Sequence, residues 1–254
     1  MNQLQRTCNL IIDEIYVGKR VEYFGGKLEG LTAEGEVAST ILCFMIKSLC
    51  HKYRDVVSIY PVKKLMGLQM FEYYNEVMDM LKKLNVHVIG ITVDNAAVNR
   101  NFFVHHLCGG VMKTKIEDLV NKQPTYLLFD SVHNLKNIFN NFLNRKQFNI
   151  PSFKQQTIDF PACTANFSHI EELYKLEVNM LVKKAHKLSN KLFSPSNIDK
   201  ISVKLAAAVF SESTRDAFKY YVVHHGRTEW SGTANFIELI TKLWQVMNVK
   251  TCSK

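Results

Sequence analysis

No stretch of this sequence reaches the roughly 18 uncharged apolar residues that a membrane-spanning helix needs. The opening residues, MNQLQRTCNLIIDE, also lack the basic start, long apolar run and small-residue cleavage site of a secretory signal. The expectation is a soluble intracellular protein without a membrane partner. There is no C-x-x-C pair. Cys8, Cys43, Cys50, Cys108, Cys163 and Cys252 are scattered, mostly in apolar surroundings, as reduced core or surface thiols are. There is no GxxxxGK[ST] loop, which excludes a nucleotide site of the standard P-loop type. Internal repeats and long low-complexity linkers are absent as well. Glycine is scarce in the second half, where only Gly226 and Gly232 occur among residues 146–254.

What is present bounds the rest. The chain has 254 residues, 47% of them hydrophobic, enough for one large domain or two small ones. Its net charge is +9, and 15 Lys/Arg against 9 Asp/Glu in residues 146–254 account for +6 of it. A basic surface favours polyanions, of which nucleic acid is the commonest.

The first half carries the β patterns. Residues 8–17 read as a strand, with Gly18-Lys19 as a turn into a hairpin partner over 20–30. Residues 37–49 read as a buried third strand, and 55–62 as a short extension or edge strand, where Pro61 is tolerated. Residues 67–85 form the clearest helix, with Phe71, Tyr74, Met78 and Leu81 on its buried face. Residues 86–94 are a buried parallel strand, Asn99 to Cys108 a helix, 125–130 a strand, and Ser131 to Asn144 a helix. This β-β-β-α-β-α-β-α order is that of a ribonuclease-H-like mixed α/β sheet. The second half reads as mostly helical: 167–189 as one helix or two, a capping box at Ser196 with Asp199 opening a helix through 203–211, and a helix over 234–247. Two domains are expected, 1–145 and 146–254, with a boundary nearer 120 as the alternative.

Asp13 sits in the first strand after Leu10-Ile11-Ile12, and Asp94 closes Val88 to Val93. In the proposed order their strands are neighbours. Two carboxylates there repel unless a cation or proton lies between them. Magnesium suits so oxygen-rich a site, and two metals roughly 4 Å apart can clamp a phosphodiester displacement. The alternative is that each Asp merely ends a strand or caps a turn. Glu14 alternates to the other face and reads as a solvent or salt-bridge residue. His105, His106, Cys108 and His133 do not assemble the closed ligand set of zinc. Asp130 ends a strand where open α/β sheets place their sites, followed by His133 and Lys136. Asn137, Asn140, Asn141 and Asn144 form one polar helix face. That face fits nucleic-acid contact or docking of a neighbouring domain equally well.

Five segments, IIDEIYVGKRVEY, GITVDNAAVNRNFF, LLFDSVHNLKNIFNN, SPSNIDKISVKLAAAVFS and GTANFIELITKLWQVMN, occur in this order. In this the chain resembles the P-element-type DNA transposases, including the THAP-domain transposases of animals, over almost its whole length. That family combines a zinc-binding THAP domain, a coiled coil and a ribonuclease-H-like domain interrupted by a helical GTP-binding insertion. The resemblance implies metal-dependent DNA cleavage and strand transfer with magnesium or manganese. It puts Asp13 and Asp94 as the first two catalytic acids and metal ligands, and Asp130, His133 and Lys136 in a block that supports the site. It implies transposon-end DNA as partner, association with itself or with full-length transposase, and a nuclear location.

The departures qualify it. The chain has no zinc module and no heptad region ahead of Asp13, and no Asp or Glu follows Glu238. No third catalytic acid can be placed, so this chain alone is expected to have little or no strand-transfer activity. A non-catalytic module that binds DNA or transposase is the alternative. Gln245 stands where the family commonly has an acid, which weighs against GTP, and DSVH replaces the usual double-proline form.

Overall fold

The structure, a computed structural model, describes residues 5–117, 123–155 and 158–248. It divides into two compact units, 1–130 and 131–254.

The first unit is built on strands β1 (Thr7–Tyr16), β2 (Glu22–Phe24), β3 (Lys27–Glu29), β4 (Thr40–Ser48) and β5 (Arg54–Val62). There follow helix α1 (Gly67–Lys83), β6 (His87–Val93), helix α2 (Ala97–Asn101), a π-helical turn (Phe102–Leu107), β7 (Lys115–Glu117) and β8 (Pro124–Phe129). Six strands make one mixed sheet in the order β5-β4-β1-β6-β8-β7. β1 is antiparallel to β4 and parallel to β6, and β6 is parallel to β8. This is the expected ribonuclease-H-like α/β architecture, with β1 at its centre.

Two strand assignments differ from the sequence reading. Residues 20–30 do not extend the sheet. Gly25 and Gly26, both at positive φ, fold Glu22–Phe24 against Lys27–Glu29 as a separate hairpin whose six strand residues are all exposed. The second strand of the sheet is β4 instead. Its alternation of Thr40, Leu42, Phe44, Ile46 and Ser48 buries one face beside Leu10 and Ile12 of β1. β5 is then the third strand and the sheet edge, where Pro61 lies. α1 buries Met70, Tyr74, Val77 and Leu81, with Phe71 and Met78 only partly covered, so its inward stripe is turned from the one expected.

The second unit starts with helix α3 (Ser131–Arg145). The sequence reading attached this helix to the first domain. Its Leu135, Phe139, Phe142 and Leu143 instead belong to the second core, beside Phe167, Phe236 and Trp230. Residues 147–166, expected in a helical half, form four short strands in two hairpins. β9 (Gln147–Ile150) pairs with β12 (Cys163–Asn166), and β10 (Phe153–Gln155) with β11 (Ile158–Phe160). Then come α4 (Phe167–Glu177), α5 (Asn197–Ile201), α6 (Val203–Val209), α7 (Glu212–His224) and α8 (Ser231–Met247). The helix expected over 167–189 stops at Glu177 and gives way to turns. The Ser196–Asp199 capping box is present, but the helix it opens breaks at Ser202, whose backbone is extended. Among the described residues no helix is long and apolar enough to cross a membrane.

The GTANF segment has a packing reason. A Cβ on Gly232 would lie 2.3 Å from the Thr164 carbonyl oxygen, so only glycine lets α8 approach β12. Thr233 then accepts the Asn166 backbone N–H at 3.0 Å and bonds the buried His169 ring at 2.9 Å.

Candidate catalytic site

The registered pairing of β1 with β6 ends at Ile11 and Thr92. Asp13 and Asp94 each stand two residues further on, at the same level of adjoining parallel strands. The close fit of the two strands is visible lower down. Asn9 donates its amide to the Thr92 hydroxyl at 2.9 Å, and a Cβ on Gly90 would meet the Asn9 side-chain oxygen at 2.7 Å. The third parallel strand adds Asp130. β8 pairs Phe129 with Val93, and the Asp130 N–H donates to the Val93 carbonyl at 2.8 Å, so Asp130 follows directly beside Asp94. Asp94 and Asp130 thus follow the last residues of β6 and β8, while Asp13 stands inside β1, level with Asp94.

The acids differ in their surroundings. Asp13 is exposed, and one of its oxygens accepts the Glu14 N–H at 2.9 Å. Asp13 faces Cys43 across the β1–β4 ladder; burial, then the Asp13 charge, raises the Cys43 thiol. Asp94 is half-buried and fixed. Its Oδ1 accepts the Ala96 N–H at 2.8 Å, at the start of α2, and the Asn99 amide at 2.6 Å. Glu14 is not the solvent residue it was read as. It alternates away from Asp13 yet is half-buried, and burial, then Asp94, then Asp13 raise its carboxyl above the usual range. Among the described residues no Lys or Arg forms an ion pair with Asp13, Glu14 or Asp94.

The remaining candidates lie in the second unit. His133 and Lys136 are half-buried on α3. The asparagine face divides. Asn140 donates to the Lys200 carbonyl at 3.1 Å, tying α3 to the end of α5, while Asn137, Asn141 and Asn144 are exposed. Asn141 donates to the Asn137 carbonyl one turn back. A cavity of about 60 Å³ lies between α3 and α8, lined by Ser131, Asn134, Leu135, Ile138, Ile240, Leu243, Trp244 and Met247. No Lys or Arg lines it. Beside it in sequence, Gln245 donates to the Glu212 carboxylate at 2.9 Å.

Sequence reasoning missed Asn99 and Glu14. Asn99 is buried and holds Asp94. The signal was there in DNAAVN: an acid that turns the chain into a helix by accepting the N–H two residues on, with an amide one turn in. Glu14 carried no such signal, because strand alternation says nothing about what stands beyond the end of the next strand.

Residues 1–106 match the family model described as TNP-like, RNase H N-terminal domain, and residues 132–254 match TNP-like, GTP-binding insertion domain. A solved Drosophila P element transposase strand transfer complex superposes with a TM-score of 0.78 at 17% identity, over 98% of this chain and 53% of that one. At that identity the likeness shows the fold, and the chain spans about half the length of its structural relative. No curated protein matches the sequence. With the sheet, the insertion and both family models in agreement, the chain belongs to the P-element-type transposase family, carrying its RNase H N-terminal region and its GTP-binding-type insertion domain.

Proposed function

We propose that the chain holds divalent cations at Asp13 and Asp94 and contributes this half-site to DNA cleavage and strand transfer. The observation that supports it is the register: two carboxylates level on adjoining parallel strands, with no cationic partner among the described residues. The donor set is all oxygen, which suits magnesium or manganese. When bound, such ions activate the attacking oxygen and steady the leaving oxygen of a phosphodiester exchange.

The chain's own residues prepare that chemistry. Asp13 offers an exposed carboxylate. Ala96 N–H and Asn99 hold one oxygen of Asp94 and leave the other for a ligand. Glu14 adds charge from behind the pair. Asp130, His133 and Lys136 are proposed as supporting residues, and Asn137, Asn141 and Asn144 as exposed amides available to DNA. Transposon-end DNA is the proposed polyanion for the +9 surface, a second copy or full-length transposase the proposed protein partner, and the nucleus the proposed location.

A second reading has its own observation. Among the described residues no three His, Cys, Asp or Glu side chains form a group able to hold a metal. In this reading we expect little strand transfer from the chain alone. Its role is then that of a module that binds DNA or transposase subunits. The residues lining the α3–α8 cavity do not fit GTP: the space is small, apolar and without a cation for a triphosphate.

Calorimetric titration with magnesium or manganese tests the site. The parent chain is expected to bind, and Asp13→Asn and Asp94→Asn each to lose binding while still melting cooperatively. Unchanged binding in either variant sinks the assignment.

A further inference from the structure

A dense run of single-sign charge in the second unit lies where the expected helix is replaced by turns. Between Glu177 and Asp199 the chain has no acidic residue and carries Lys183, Lys184, Lys187, Lys191 and His186. Residues 178–189, which replace the expected helix, form a built loop. The buried Glu177 carboxylate accepts the Ala185 N–H at 2.8 Å and closes the loop across eight residues. Ala185 and Leu188 are buried anchors, and the Tyr221 hydroxyl sits 3.9 Å from the Met180 sulfur. Lys184 Nζ stands 4.0 Å over the Tyr220 ring, in the last turns of α7, and Tyr220 also packs on His224 and His225.

What this scaffold presents is unusual. Leu181 is fully exposed at 101% and Val182 at 75%, at the loop tip. Lys183, Lys184 and Lys187 follow, exposed, and none has an acidic partner among the described residues. Folding gains nothing from an aliphatic pair held in water at the end of a clamped loop. A lone lysine on a surface is ordinary. Three beside an aliphatic tip, on a loop braced from within, match the chemistry of a minor-groove contact, where an apolar wedge enters between cations seated on the flanking phosphates.

We propose that the 178–189 loop is a duplex-DNA contact, with Lys183, Lys184 and Lys187 on phosphates and Leu181–Val182 in the minor groove. The proposal rests on the reading that the chain binds DNA, but not on its metal site. Charge complementarity selects the occupant, since the loop carries no acid on its surface to suit a basic partner.

The test is the salt dependence of binding of the full chain to a fluorescent DNA duplex, followed by anisotropy. Lys183→Gln/Lys184→Gln/Lys187→Gln should lower the slope of log K against log salt by about 2 to 3, since each phosphate contact contributes about 0.9. Leu181→Asn should weaken binding severalfold with the slope unchanged. Lys52→Gln/Lys113→Gln/Lys204→Gln removes the same charge from exposed lysines elsewhere and should leave the slope nearly intact. Equal slopes for the two triple variants would reduce the effect to net charge and overturn the proposal. So would a loop triple variant that binds as the parent does. A parent chain that binds anionic phosphatidylserine vesicles but no DNA would assign the loop to a lipid surface instead. DNA binding that is lost in the loop variants while cation binding at Asp13 and Asp94 persists would support it. DNA binding indifferent to the loop would overturn this inference and leave the metal assignment standing.

Discussion

One oxygen of Asp94 is committed to its own helix start, and that commitment makes the residue useful. An exposed aspartate samples several rotamers, whereas the Ala96 N–H and the Asn99 amide give this one a fixed direction. Asn99 is buried, so its removal leaves a carboxylate short of a donor. Asn99→Ala should cost about 1–3 kcal/mol of stability and weaken cation binding. A thermal melt and the calorimetric titration read the two effects, and an unchanged melt would mean the amide is dispensable. His169 is the other residue whose environment has a measurable consequence. Burial pushes its ring below the ordinary histidine value, against the raising effect of Glu172 and Glu229. The unfolded chain then takes up a proton that the folded one refuses. The stability contribution is present above about pH 6.5 and is lost as the pH falls below it toward the folded value. The second unit should melt at lower temperature at pH 5 than at pH 7, and His169→Gln should flatten that difference.

At the scale of elements, backbone approach and local capping decide more than propensity does. The contact of α8 with β12 exists only because residue 232 lacks a Cβ. Gly232→Ala should destabilise the second unit by roughly 1–3 kcal/mol, visible as a lower urea midpoint; a midpoint equal to the parent's would show that the strand yields. Elements also separate what was readable from what was not. The Ser196 box was legible because its two hydrogen bonds are local. β6 and β8 were legible as apolar runs bounded by turn residues. The partner of β1 was not. Residues 20–30 carry strand-like composition, but Gly25 and Gly26 close a tight hairpin, and its exposed side chains offer the sheet nothing to bury. Residues 178–189 kept helical apolar spacing, yet a buried carboxylate clamps them into turns.

At the scale of the whole molecule, the division between 130 and 131 gives each unit its own core. Residues 131–254 should therefore fold alone. Both tryptophans, Trp230 and Trp244, lie in this unit, so fluorescence reports its unfolding without interference from the first. A cooperative fluorescence transition of the isolated fragment is expected, and a featureless one would show that its core needs residues 1–130.

Order along the chain is what the sequence determined unaided. The succession of apolar strands, the central helix, the acids at strand ends and the five family segments are local patterns, and hydrophobic spacing, turn residues and caps encode them within a few residues. Pairing and level were decided only in three dimensions. That β1 lies between β4 and β6, that Asp13 and Asp94 stand level, that Glu14 shares their field, and that α3 belongs to the second core each depend on which distant surfaces bury one another. Burial is a property of partners brought together by the fold, and no window of sequence contains both of them.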